Sequence, residues 1–502
     1  MKRKTRWAAW LLSGLCLLSG CSGQPPESND GRRDLNVAMT EEPGALDPYT
    51  ANSGDSKYVT DLIYASLLRP NAETLEPEPC LALRVEPIGE TLWEVCLRED
   101  VQFHNGAEMT AADVAASMEW AREEKNFFTS NFTRWWKDIE IMDDYTLHIT
   151  TDGPYANVPA DLTRIKVVPC DLIEAEHNFN QEPIGAGPYR LIERVPGKDL
   201  QFEAFEQYFE GTPEIETMTW RAIPQSTTRA LSLQAGEVDV VLEVDSGELT
   251  ALYEDPAVSV LEGRSNRFCY LALNNEKAPF NNVDFRKAIY CAIDRQKVLQ
   301  VAYEGHGTPV VTQTPAVFGV ESEEDALKYD PEQARSYLER SGVDPAAVHF
   351  TCLCTETTKR TAEVMQGQLV ELGIIMDVHS VDQASWADRT AEGAYDVAIC
   401  TYTASDLQSY MEDLFAGESI GGTNRSRVSD PELDGLIEQA AMQTDREAHS
   451  ELLARCVDRV ETLCPQVPLY QMSVLRACSS DLQGLTLTAG GDILWQDVGW
   501  LQ

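Results

Sequence analysis

The chain is poor in the features that mark enzymes, metalloproteins and polytopic membrane proteins. It is short of basic residues: 40 Lys and Arg stand against 82 Asp and Glu in 502 residues. A surface so negative repels the phosphates of nucleic acid and anionic lipid headgroups, so no nucleic-acid partner is expected. The acids are spread and form no tract, and solubility outside a cell accounts for them as well as steering of cationic ligands would. The seven histidines, at 104, 148, 177, 306, 349, 379 and 449, show no HxxxH spacing, and HExxH is absent. No metal site and no cofactor are expected. No CxxC pair occurs among the thirteen cysteines. Beyond the first 20 residues no apolar stretch reaches 18, the length of a membrane-spanning candidate.

Two short patterns imitate active sites and fail on context. Gly417-Glu418-Ser419-Ile420-Gly421 has the GxSxG spacing of a nucleophile elbow, which needs a strand before the serine and a helix after it. Here a helix-like run precedes it and a polar loop follows. Gly185-Ala186-Gly187 lies between two strand-like runs with no helix behind it to hold a phosphate. No catalytic set assembles, so the chain is not read as an enzyme.

What is present begins at the amino terminus. MKRKTR carries four cations, and Trp7 to Leu18 is apolar for about a dozen residues, the length of an export-signal core and short of a membrane span. An ordinary export signal with a chance cysteine is the bland reading. Leu18-Ser19-Gly20-Cys21 resembles the lipobox of bacterial lipoproteins. That resemblance implies a diacylglycerol on the Cys21 thiol, cleavage before it, and removal of residues 1–20. Residues 21–33 are rich in Ser, Pro, Gly and Asn and read as a flexible tether. The protein is expected outside the cytoplasmic membrane, held by lipid at its outer face or in a periplasm. Cys16 leaves with the signal, so eleven cysteines remain beyond Cys21, an odd number. Cys352 and Cys354 fall in a strand-like run, where neighbours two apart share a face but are badly placed to bond each other. Most of the eleven read as small buried hydrophobes, with one or two disulfides left open.

The rest of the chain is too long for one core and suits two or three domains. Strand-like and helix-like runs interleave throughout, which is a mixed α/β pattern. The run 58–71 has helical spacing up to Pro70. Thr110 with Asp113 marks a helix start, and Asn105-Gly106 and Pro196-Gly197 mark hairpin turns. The segment "NNVDFRKAIYCAIDRQKVLQVAY" reads as one long amphipathic helix.

Several segments, in order, carry a family resemblance. They are "EEPGALDPY", "LIYASLLRPNAETLEPEPCLA", "VQFHNGAEMTAADVAASMEW", "PIGAGPYRL", "APFNNVDFRKAIYCAIDR", "GIIMDV", "YDVAICTY" and "NRSRVSDPELDGLIEQA". Together they resemble bacterial extracellular solute-binding proteins of the peptide/nickel family, the receptors of ABC importers. The Phe-His-x-Gly and Thr-Ala-x-Asp-Val stretch is the most specific of them. Ala186 stands where the family's Gly-Thr-Gly-Pro-Tyr has threonine. The resemblance covers 35–502 and implies a two-lobed periplasmic-binding-protein fold with an extra third domain. The implied parts are lobe I (34–55, 181–265, 479–502), the extra domain (56–180) and lobe II (266–478). A solute would lie between lobes that close by hinge bending, and a permease and an ATPase would be the partners of a monomeric receptor. The motifs themselves are structural, and a fold alone does not fix a substrate.

For the ligand, peptide-binding members carry a tryptophan-led stretch after the "YDV" strand, with an aspartate that pairs with the peptide's α-amino group. Here the stretch is "TYTASDLQSYMEDLF". Aligned without a gap, Tyr402 takes the tryptophan's place and Ser405 the aspartate's, while Asp406 comes one residue late. Either a shift of one residue brings Asp406 into the pocket, or the ligand lacks a free amine. A short peptide is the leading expectation; a metal chelate, an opine or a sugar-like compound is the alternative. The resemblance makes Tyr402, Thr403, Ser405 and Asp406 ligand candidates, with Trp386 from lobe II and Asp47 and Tyr49 from the first cleft loop. Arg264, or its neighbour Arg267, precedes the strand into lobe II and could take a carboxylate. For each the plain reading is a core or surface role. A sensor or adhesin that keeps the fold without transport is the competing class.

Overall fold

The computed structural model describes residues 31–51, 54–124, 129, 132–133, 135–319 and 327–501. The expected export signal and Cys21 lie outside the described residues. One sheet of eleven strands runs through both lobes. From one edge its order is Ile375–Ser380, His349–Cys354, Val397–Thr403, Val258–Leu273, Gln466–Ser479, Val240–Val241, Asp34–Met39, Thr217–Ala222, Asp199–Ala204 and Tyr189–Val195. Gly307–Pro309 pairs separately with Gln466–Ser479.

The two longest strands make the join. Val258 to Arg264 pair with Ser479 to Ser473, the register breaks, and pairing resumes with Phe268 opposite Gln471. Ser265, Asn266 and Arg267 fall in the break, where the chain passes from one lobe to the other. Ala477 and Cys478 pair with the lobe I strand Val240–Val241. On the partner strand the same break falls between Gln471 and Ser473.

Each lobe buries both faces of its part of the sheet. In lobe II, Phe350 and Cys352, Val397 and Ile399 point toward helices Val283–Ala292, Arg295–Ala302 and Lys359–Val370. Their neighbours Leu353, Ala398 and Cys400 point the other way, toward Leu407–Phe415, Pro431–Met442 and Arg446–Leu463. This is the period-two alternation of a strand covered on both sides. In lobe I, Val37 and Met39 join one core and Ala38 the opposite one. The acid-rich composition finds a use at helix starts. Asp294, Asp330, Asp382, Asp406, Asp430 and Asp445 each accept a first-turn N–H at an N-cap.

The extra domain has its own antiparallel sheet, Ala82–Pro87, Leu92–Leu97, Thr146–Thr151 and Trp136–Asp143. Helix Ala111–Glu124 packs on it through Val114, Met118 and Ala121. Asp113 reaches back to Thr110, accepting from its N–H at 2.8 Å, as the sequence expects. Its other oxygen accepts from Cys170 N–H at 2.8 Å and so ties in the helix at Cys170–Glu174.

Two helices differ from expectation. The 58–71 run stops being helical at Ile63, because Leu68–Pro70 pairs with Pro77–Pro79 instead. The long amphipathic run splits into Val283–Ala292 and Arg295–Ala302, since Asp294 leaves the helix to cap the second segment through Lys297 N–H. The eleven cysteines from Cys80 to Cys478 are all free thiols, buried except for the half-buried Cys96 and Cys170. No disulfide forms among them, and burial pushes the Cys269 and Cys400 thiols up to about 12.

The glycine motif draws the end of helix Gly54–Ile63 and the His104 loop tightly onto the strand that starts at Tyr189. A Cβ on Gly187 would come within 2.4 Å of the Leu62 carbonyl oxygen, and one on Gly185 within 2.3 Å of the Ile63 carbonyl oxygen. Only glycine lets these backbones meet, and Gly187 N–H donates to Ile63 O at 2.8 Å. His104, from the Phe-His-x-Gly stretch, donates from Nε2 to Gly187 O at 3.0 Å, and its Nδ1 faces Gly185 N–H at 3.5 Å. That arrangement suits a neutral imidazole, and burial pushes the His104 pKa down to about 4.

Candidate functional site

The stretch that follows Val397–Thr403 starts at the lobe II face nearest the extra domain. Tyr402 donates its hydroxyl to Asp413 Oδ2 at 2.6 Å, and its ring meets Tyr410 edge-on at 5.8 Å. Burial, then the Asp413 charge, holds the phenol well above its usual range, so it remains a donor. Thr403 is exposed and pairs with Arg267 across the strands.

Asp406 caps helix Leu407–Phe415. Its Oδ1 accepts from Ser409 N–H at 2.8 Å, and its Oδ2 accepts from the hydroxyls of Ser405 at 2.9 Å and Ser409 at 2.8 Å. The loop acid is thus fixed by local chemistry, and half-buried. Facing it is segment 155–164 of the extra domain. Arg164 donates to Ser405 Oγ at 2.6 Å and Asn157 Nδ2 to Ser409 Oγ at 3.3 Å. Deeper in the same segment, Tyr155 donates to Asp161 Oδ2 at 2.9 Å. Asp161 is 2% exposed, and burial holds its carboxyl well above the usual range. The Asp406 and Glu412 charges push the same way, and Arg164 opposes them.

The other candidates lie elsewhere. Trp386 is half-buried against the lobe II core, with the Arg425 guanidinium 5.6 Å from its ring centre. Asp47 closes its own turn, Oδ1 accepting from Tyr49 N–H at 2.9 Å and Thr50 N–H at 3.2 Å. Tyr49 is a correction: at 1% exposure it sits in the extra domain's core, edge-on to Trp120 at 5.1 Å. Its hydroxyl is already given to Lys166 O at 2.8 Å, so it has no face for a solute. Arg264 is exposed at the last lobe I pair before the crossing. Arg164, Asn157, Tyr155 and Asp161 were missed in the sequence. "PYANVPADLTR" carries no motif, and its position opposite Ser405 is set by the approach of two bodies.

A cavity of about 10 Å³ beneath Tyr402, lined also by Phe268, Tyr410 and Gln466, holds a single water at most and is too small for a solute. Ser419 of the GxSxG imitation donates to Glu412 O at 2.7 Å from a short turn, with no strand before it. Among the described residues no cluster of His, Cys, Asp and Glu suits a metal ion, and no helix is long and apolar enough to cross a membrane.

Comparison with known proteins agrees with this architecture. Residues 76–421 match the family model described as bacterial extracellular solute-binding proteins, family 5 middle. The chain is 25% identical to heme-binding protein A of Haemophilus influenzae over 443 residues, 81% of each chain. It is also 25% identical to glutathione-binding protein GsiB of Escherichia coli over 503 residues, 97% of this chain and 98% of that one. The structure of HbpA2 from Haemophilus parasuis superposes with a TM-score of 0.86 at 23% identity, covering 93% of this chain and 99% of that one. With its two sheet halves joined by paired crossing strands and an added third domain, the chain belongs to the bacterial extracellular solute-binding proteins of family 5, and is a substrate-binding receptor of an ABC importer and not an enzyme.

Proposed function

We propose that the protein is a lipid-anchored receptor that takes short peptides into the cleft between its lobes and passes them to a permease and its ATPase. The observation that carries the peptide reading is Asp406. It stands at a helix start beside Tyr402 and Ser405, on the face of lobe II turned toward another body, and its Oδ1 accepts one hydrogen bond. A carboxylate oxygen takes two, so one place is left for the ammonium group of a peptide, a charge-assisted bond that penalises uncharged ends. In this reading Tyr402, Ser405 and Asp406 line the lobe II side, Thr403 and Trp386 its margin, and Asp47 and Arg264 the lobe I side. The division into lobe I (34–55, 181–265, 479–502), an extra domain (56–180) and lobe II (266–478) belongs to the same proposal, and the register break between Gln471 and Ser473 supports a return crossing within that long strand. The glutathione-binding relative supports a small peptide-like solute.

One observation favours a second reading. Arg164 brings a cation of the protein's own to Ser405, the position that an aspartate occupies in peptide binders. A solute without a free amine, such as a chelate, an opine or a sugar-like compound, fits that arrangement better. Thermal unfolding of the receptor with free peptides, the same peptides N-acetylated, glutathione and heme separates the two. A ligand at 100 times its dissociation constant adds about 2.7 kcal/mol. Stabilisation by free but not by acetylated peptides supports the first reading; equal stabilisation, or response only to non-peptides, overturns it. The anchor is tested by mass spectrometry of the membrane-extracted protein, which is expected to begin at a diacylated Cys21, and by Cys21→Ala, which should release it.

A further inference from the structure

The contact between the extra domain and lobe II has an unusual build. Two separate hydrogen-bond relays start in segment 155–164 and end on one oxygen. Arg164 donates to Ser405 Oγ, which donates to Asp406 Oδ2. Asn157 Nδ2 donates to Ser409 Oγ, which donates to the same Oδ2. A main-chain bond lies alongside, from Ala156 N–H to Ala441 O at 2.7 Å, at the end of helix Pro431–Met442. We propose that Asp406, Ser405 and Ser409 are the fixed half of a clasp that holds the extra domain against lobe II, so that the receptor closes with its third domain and not with lobe I alone.

The chemistry of the relays supports this. Each serine has one proton and two lone pairs, so giving the proton to a carboxylate leaves it free to accept from across the gap. A hydroxyl already polarised by a carboxylate is the better acceptor, and the first relay has opposite charges at its two ends. Asp406 is itself held rigid as the cap of helix Leu407–Phe415, so the hydroxyls are aimed before the other body arrives. The exposed pair Arg446–Glu76 also spans the two bodies, but its side chains are 85% and 65% exposed and contribute little. Asp406 is on this account a positioning residue. The clasp does not depend on which solute the cleft takes.

The test therefore uses no solute. Amide hydrogen exchange is measured on the full mature chain and on two variants, Ser405→Ala/Ser409→Ala on one side and Asn157→Ala/Arg164→Gln on the other. Both should speed exchange of the Ala156 amide at least tenfold, although neither touches its own partner, Ala441. Strands Leu92–Leu97 and His349–Cys354 should exchange as before, which shows that both bodies stay folded. The second variant leaves the Asp406 cap intact, so its effect cannot come from fraying of helix Leu407–Phe415. An Ala156 amide equally protected in both variants overturns the proposal, and so does acceleration in the serine variant alone.

Discussion

The extra domain has two joints, and they are made of different material. At lobe I, Gly185 and Gly187 let two backbones touch, and His104 is enclosed between them. At lobe II, Arg164 and Asn157 reach serine hydroxyls across a gap. The first joint has no slack, since any Cβ collides with main chain. The second is made of polar groups that water can replace at small net cost. Under the proposed clasp, the first joint carries the domain and the second opens and closes.

The sharpest way to break the contrast is Gly187→Ala. Its Cβ would meet the Leu62 carbonyl at 2.4 Å, and backbone cannot rotate away, so a loss of about 3 kcal/mol is expected in chemical denaturation. The equivalent truncation at the other joint, Arg164→Ala, should cost under about 1 kcal/mol. Equal losses would erase the distinction.

Next in size is the pH arm of His104. The folded pKa lies near 4, below the ordinary 6.5, so the native state binds fewer protons than the unfolded one. The contribution is complete above about pH 6.5 and is lost as the pH falls toward 4. It amounts to on the order of 2 kcal/mol once the partly exposed ring is allowed for. His104→Gln should flatten that arm in urea titrations at stepped pH, and an unchanged slope would remove His104 as its source.

Asp406→Asn probes the reversible joint and the candidate site together. Asparagine caps a helix as well as aspartate, so stability should change by less than about 1 kcal/mol. Affinity for a free peptide, read by calorimetry, should fall about tenfold or more with the charge. Unchanged affinity takes Asp406 out of the site. The smallest effect is expected from Arg446→Ala, within about 0.5 kcal/mol, since both partners of that pair are exposed.

The same division governs what was legible. The residues of the first joint were legible as motifs, though not as a joint, because close backbone approach admits one residue type and a turn admits few. Asn105-Gly106 makes its turn with Gly106 at φ 84°, and Pro196-Gly197 with Gly197 at 72°. Thr110 with Asp113 opens its helix. Where local signals competed with tertiary pairing, tertiary pairing won, as in the strand at Leu68–Pro70 that ends the expected helix early. Tyr49 was drawn to the cleft by its place in a loop motif, yet Trp120 and the Lys166 carbonyl claim it for the core. Nothing in "PYANVPADLTR" announces Arg164 and Asn157, since such residues are common on any surface.

Composition, turn chemistry and strand period were enough to determine a mixed α/β chain with interleaved elements, because these depend on a residue and its near neighbours; that it is a receptor came from the family resemblance. Which side chains of distant segments face one another was decided by tertiary structure alone. The Asp406 carboxylate and the Arg164 guanidinium lie more than two hundred residues apart in the chain, and only the packing of distant segments brings them to the same serine, Ser405.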